Sequence, residues 1–139
     1  MKVSQLHLKS LSDIAAGFSS LGDNPDFILV FGDKTFFSQP DLSTSLKKTF
    51  PNSVIGGCST SGEIAIDRVY DNSCILSAVK FESTQVKSVS TEILSMDDTQ
   101  AAGERLGKSI DHNQLTSVLV LGTGVAINTS VVARFSTGT

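Results

Sequence analysis

Val54-Ile55-Gly56-Gly57-Cys58-Ser59-Thr60-Ser61-Gly62-Glu63-Ile64 is the stretch around which this chain is organised. It opens as an apolar strand end, passes through a run of small residues, and closes on a carboxylate that leads into a second apolar run. Its glycines permit backbone angles that a Cβ disfavours, and they let another group come close to the main chain. Its hydroxyls, its thiol and its main-chain amides offer many polar contacts in little volume. Two readings follow from this composition: a tight connection between strands, or a cradle for a small polar ligand.

Outward from the loop, strands and helices alternate. Upstream, Phe27-Ile28-Leu29-Val30-Phe31 is a continuous apolar strand, the pattern of a sheet covered on both faces, with Gly32-Asp33-Lys34 at its carboxyl end. Ser38 or Asp41 caps a helix running to Phe50, with Leu42 and Leu46 turned inward and Pro51-Asn52 stopping it. Ser53 to Gly56 enters the loop as a strand, and residues 63–67 leave it as another. Nearer the N-terminus, Val3, Leu6 and Leu8 mark a first strand. Ser10 to Leu21 has the spacing of a helix, capped by Ser10 or Ser12 and ended at Gly22, and Asn24-Pro25-Asp26 is turn chemistry.

Downstream, Asp71-Asn72 turns the chain into a strand over Ser73 to Phe81. Glu82-Ser83-Thr84 reads as a hairpin turn into a long alternating strand, Gln85 to Leu94, anchored by Val86, Val89 and Ile93. Asp97-Asp98 starts a helix to about Ile110 that buries Ala101, Ala102, Leu106 and Ile110. Val118-Leu119-Val120-Leu121 is a further covered strand ending in Gly122-Thr123-Gly124, and Asn128-Thr129-Ser130 caps a last short helix. This order predicts an α/β layered sandwich: a mixed, partly parallel β-sheet with flanking helices. If the apolar strands run parallel, the loops near Asp33, Cys58 and Thr123 form one rim at their carboxyl ends, where ligands of α/β sheets usually bind.

With 139 residues, the chain is long enough for one domain over 1–139 with a core of its own. A net charge of −3 and no basic cluster beyond Lys47-Lys48 argue against nucleic acid and anionic membranes as partners. Two cysteines are too few for a secreted disulfide framework, the N-terminus lacks a signal-peptide core, and no apolar run is long enough to cross a bilayer. The expected setting is the cytoplasm.

The loop's chemistry excludes more than it selects. Cys58 as a nucleophile needs a base, and neither His7 nor His112 is placed near it by sequence. Cys74, inside a strand, reads as a small core residue. Gly57-Cys58-Ser59-Thr60-Ser61 fails the Gly-x-Ser-x-Gly nucleophile pattern in spacing and in context, and no glycine-rich segment ends in Gly-Lys-Ser/Thr. The acids Asp26, Asp33, Glu63, Asp67 and Asp71 lack a metal-ligand spacing, and all but Glu63 read as solvated turn carboxylates. Glu63 either meets a ligand amine or accepts hydrogen bonds from its own loop and holds the turn shut. Backbone amides over Gly57 to Gly62 suit a carboxylate or a phosphate without a cationic side chain.

Gly57-Cys58-Ser59-Thr60-Ser61-Gly62-Glu63-Ile64 resembles the signature of the FIST N-terminal domain. The strand from Asp26 to Phe31, the Phe50-Pro51 approach to the loop, and Val118 to Gly122 followed by Asn128 match it as well. The resemblance implies a bacterial, non-enzymatic sensory domain that detects a small polar ligand, such as an amino acid. The ligand contacts it implies are Gly57, Cys58, Ser59, Thr60, Ser61, Gly62 and Glu63, joined by Asp33, Thr123 and Asn128. Implied partners are a C-terminal FIST domain and, downstream, a histidine kinase, a cyclic-di-GMP enzyme or a chemoreceptor. The family usually carries Asp-Gly-Leu where this chain has Thr123-Gly124-Val125 and continues into the second domain, so the chain reads as a shortened member. An exposed sheet edge would then favour a homodimer. No cofactor is expected on the leading reading. The alternatives are a haem-bound nitric oxide sensor with His7 or His112 as axial ligand, and a thiol enzyme using Cys58.

Overall fold

The computed structural model describes residues 1–38, 41–65 and 68–122, which fall in two compact units, Met1–Lys87 and Ser88–Thr139. The first unit holds a four-stranded sheet built from β1 (Lys2–Leu8), β2 (Phe27–Gly32), β3 (Val54–Ser59) and β6 (Cys74–Lys80), in the order β1-β6-β2-β3. β6 runs antiparallel to both of its neighbours, whereas β2 and β3 are parallel. A separate two-stranded hairpin pairs β4 (Glu63–Ala65) with β5 (Arg68–Tyr70). The sheet is thus mixed and partly parallel, as the strand–helix alternation predicts.

Why one face forms the core follows from the period of two along each strand. Leu8, Ile28, Val30, Cys74, Leu76 and Ala78 all fall on the same side and are buried. Against them pack Ile14, Phe18 and Leu21 from the first helical segment, Phe36 from α2 (Lys34–Phe37), and Leu42 and Leu46 from α3 (Asp41–Thr49). On the other side Phe27, Leu29 and Phe31 are only half-buried. Within this unit the described residues thus cover β2 fully on one face and partly on the other. β2 alternates between full and partial burial, because the helices of this unit cover one face only.

The first helical segment is broken rather than continuous. A 3-10 turn (Leu11–Asp13), α1 (Ile14–Gly17) and a second 3-10 turn (Phe18–Leu21) follow one another. Five serines and glycines between Ser10 and Ser20 lower helix propensity enough for the tighter geometry to compete. Ser10 caps its start as expected: its Oγ accepts from the Ser12 amide at 3.2 Å, and Asp13 accepts from the Ser10 amide at 3.1 Å. Asp26 is no solvated turn carboxylate. It accepts from Lys80 Nζ and from the Phe81 amide, both at 2.7 Å, and staples β2 to the end of β6.

Two expected strands are absent from the described residues. Residues 85–94 form no strand, and neither do residues 118–121, whose side chains are 40–61% exposed. In the second unit the backbone near 92–94 is met by side chains instead. Arg105 of α4 (Thr99–Ser109) donates to the Glu92 carbonyl at 2.8 Å, and the Leu94 amide donates to Asp98 at 3.0 Å. A strand needs a neighbour to take its main-chain groups; here a helix supplies them. α4 itself buries Thr99 and Ala102, while Ala101 is exposed and Leu106 and Ile110 are only half-buried.

Candidate functional site

Parallel pairing of β2 with β3 sets Val30 beside Gly57, Phe31 beside Cys58 and Gly32 beside Ser59. The segments after both strands, from Asp33 and from Thr60, therefore leave the same edge of the sheet. Two of the three loops expected at one rim are brought together in this way. The third, at Thr123, and the further candidate Asn128 lie outside the described residues.

Strand β3 reaches further than its sequence implies and takes in Gly57, Cys58 and Ser59. The amides at its two ends are spent on β2: Val54 donates to the Asp26 carbonyl at 3.0 Å and Thr60 to that of Gly32 at 2.9 Å. Between them the alternation of a parallel ladder turns the amides of Gly56 and Cys58 toward β2, and those of Ile55, Gly57 and Ser59 toward the opposite side. Of the amides expected to form a cradle over Gly57–Gly62, those of Gly57 and Ser59 thus face away from β2 and that of Cys58 does not. Gly57 is a site of close approach, since a Cβ there would lie 1.9 Å from the Val30 carbonyl oxygen. Gly62 has φ 154°, and a Cβ on it would crowd Val69, so the turn into β4 also requires glycine.

Glu63 is 2% exposed. Its Oε1 accepts from Thr60 Oγ1 at 2.9 Å, and its Oε2 accepts from the Ser73 hydroxyl at 2.8 Å and the Ser73 amide at 3.2 Å. Of the two readings of Glu63, this geometry supports the one in which it holds the turn shut. Asp33 is engaged as well: Oδ1 accepts from the Thr35 amide at 2.8 Å and its hydroxyl at 2.7 Å, which caps α2 and keeps the Asp33 carboxyl below its usual range. The Asp33 amide donates to the Ser73 carbonyl at 2.8 Å. Gly32, Asp33, Thr60 and Glu63 are therefore linked through Ser73, which sequence reasoning missed. The available signal was a serine directly before an apolar strand, where β6 needs no polar side chain for packing.

Both cysteines are free thiols. Cys74 is buried, and burial, reinforced by the Glu63 carboxylate, pushes its thiol up to about 12, so it stays protonated and inert. Cys58 is half-buried on the face away from the helices, beside Phe31. His7 packs against Tyr70 in a tilted arrangement with ring centroids 4.4 Å apart, and its buried Nε2 has no hydrogen-bond partner among the described residues. His112 Nε2 lies 3.1 Å from the Gly107 carbonyl. Among the described residues no group of three or more His, Cys, Asp and Glu side chains could hold a metal ion.

Hollows among the described residues of the first unit include one groove and one smaller cavity. A wide groove of about 1090 Å3 runs between the Leu11–Leu21 segment and α3, floored by Ile14, Phe18 and Phe50 and edged by Asp23, Asp41 and Lys48. A smaller hollow of about 140 Å3 lies beside Gly56 and Gly57. Neither of these two hollows is lined by a histidine.

The FIST N domain model matches residues 26–138. The chain belongs to the FIST N domain family. The match begins at Asp26, the staple of β2, and runs through the loop around Cys58; β1 and the Leu11–Leu21 segment precede it. FIST domains are sensory domains of signal-transduction proteins rather than catalytic ones, and the sensory role stated for this chain rests on that membership. No curated protein and no solved structure matches the chain. Among the described residues of this FIST domain, no helix is long and apolar enough to cross a membrane.

Proposed function

We propose that this FIST domain is a non-enzymatic sensor that binds a small polar metabolite, an amino acid in the first place, at the segment Gly57–Glu63. The observation that carries the reading is the alternation along β3, which aims the Gly57 and Ser59 amides away from β2 while the side chains of Ser59 and Ser61 are exposed. Amides and hydroxyls of this kind suit a carboxylate group. Asp33 takes both of its capping bonds on Oδ1, so Oδ2 is placed to accept from an ammonium at the same rim. Glu63 contributes by holding Thr60 and the turn in position. Cys58, Thr60, Gly62, Thr123 and Asn128 complete the proposed contacts.

Output is a shift between loop arrangements, and it extends only as far as the ligand's difference in affinity for them. The proposed recipients are a histidine kinase, a cyclic-di-GMP enzyme or a chemoreceptor in a bacterial cytoplasm, with a C-terminal FIST domain or a second copy of the chain as structural partner. Calorimetric titration against amino acids and short carboxylates tests the reading. Binding that weakens on Ser61→Ala is the expected result, and silence across the whole panel overturns it.

A further inference from the structure

The small hollow beside Gly56 and Gly57 adds a second kind of chemistry to the proposed site. Its walls are Val30 and Ile55 from the sheet, Phe36 and Phe37 from α2, and Leu42 and Leu46 from α3. Except for Ser43, every side chain that reaches it is apolar. On the sheet side Gly56 and Gly57 line it without bringing any side chain into it. Phe37, 42% exposed, together with Ser43 and Gly57, brings it to the surface. Gly57 thus belongs both to the hollow and to the strand whose outward amides suit a carboxylate.

A volume of about 140 Å3 is too apolar to hold ordered water well and large enough for one small hydrocarbon group. Cavities of roughly 150 Å3 lined by Leu, Ile and Phe stay dry and accept a benzene ring. From this juxtaposition we infer that the ligand is an α-amino acid with an apolar side chain, from isobutyl to benzyl, seated in the hollow while its polar head meets the β3 edge. The inference rests on the proposed sensory site and narrows its substrate class from amino acids in general to leucine, isoleucine and phenylalanine.

Calorimetric titration of the full chain with leucine, phenylalanine, alanine, serine and aspartate tests it. At about 0.8 kcal/mol per buried methylene, leucine should bind roughly fifty-fold tighter than alanine, and serine and aspartate weaker still. Ser43→Phe, which places a ring at the mouth, should collapse the leucine-to-alanine ratio toward one. Phe37→Ala, at a position 42% exposed, should weaken leucine several-fold; thermal melts of both variants check that they fold. Equal binding of leucine, alanine, serine and aspartate overturns the hollow as side-chain seat and leaves the sensory site standing. Leucine binding unchanged by both substitutions has the same consequence. No binding of any of the five overturns the inference, and silence that extends to the short carboxylates overturns the sensory site as well.

Discussion

Glu63 shows what a single side chain does for the loop it follows. A carboxylate at 2% exposure normally needs a cation, yet its donors among the described residues, Thr60 and Ser73, are neutral. Hydrogen bonds to a charged group contribute more than neutral ones, about 1.5–3 kcal/mol each, and that offsets part of the cost of burial. Glu63→Gln keeps the shape but turns an NH2 group toward one set of these donors, so a loss of roughly 1–3 kcal/mol is expected. Urea unfolding reads it, and a variant as stable as the parent would show that the carboxylate is not what closes the turn. Glu63 stands out in the sequence because it ends a run of small residues. Ser73 does not, because its role depends on a hairpin that returns the chain to the same spot ten positions later.

At the scale of elements, α4 is held by a pair rather than by its own cap. Two Arg105 nitrogens reach the Asp98 carboxylate at 2.8 and 3.0 Å, and the Leu94 amide adds a third bond. The Arg105 hydrogen bonds first, and the Leu94 amide second, hold the Asp98 carboxyl at about 2 against an ordinary 3.8. A folded value below the unfolded one means that the stabilisation is complete above about pH 4 and is lost as pH falls toward 2. An NMR titration of the Asp98 carboxyl should show that low midpoint, and Arg105→Lys should return it toward the usual range. The periodic elements β2, β6, α3 and α4 were all legible from spacing. The strands expected at 85–94 and 118–121 were not found, because alternation and apolar runs describe a side-chain pattern and not the presence of a neighbour. β5 is short, sits next to a turn, and left no pattern to read.

For the molecule as a whole, strand order decides which backbone groups are protected. β6 and β2 each have a neighbour on both sides, so their amides should exchange most slowly in hydrogen exchange. Along β3, Gly56 and Cys58 should be protected while Ile55, Gly57 and Ser59 exchange faster; uniform protection along β3 would remove the outward edge on which ligand recognition depends. A mixed sheet was readable from alternating strands and helices. The order β1-β6-β2-β3 was not, since hydrophobic patterns say which face is inward and nothing about adjacency. The path from Glu63 to Ser73 carries one more consequence. It departs from the Glu63 carboxylate and returns to it through the Ser73 hydroxyl and amide, so the β4–β5 hairpin is tied at its base. Added length between them closes no new gap and costs little entropy. Foreign sequence added between β4 and β5 should therefore leave the β1-β6-β2-β3 framework folded, and thermal unfolding of an insertion variant reads it.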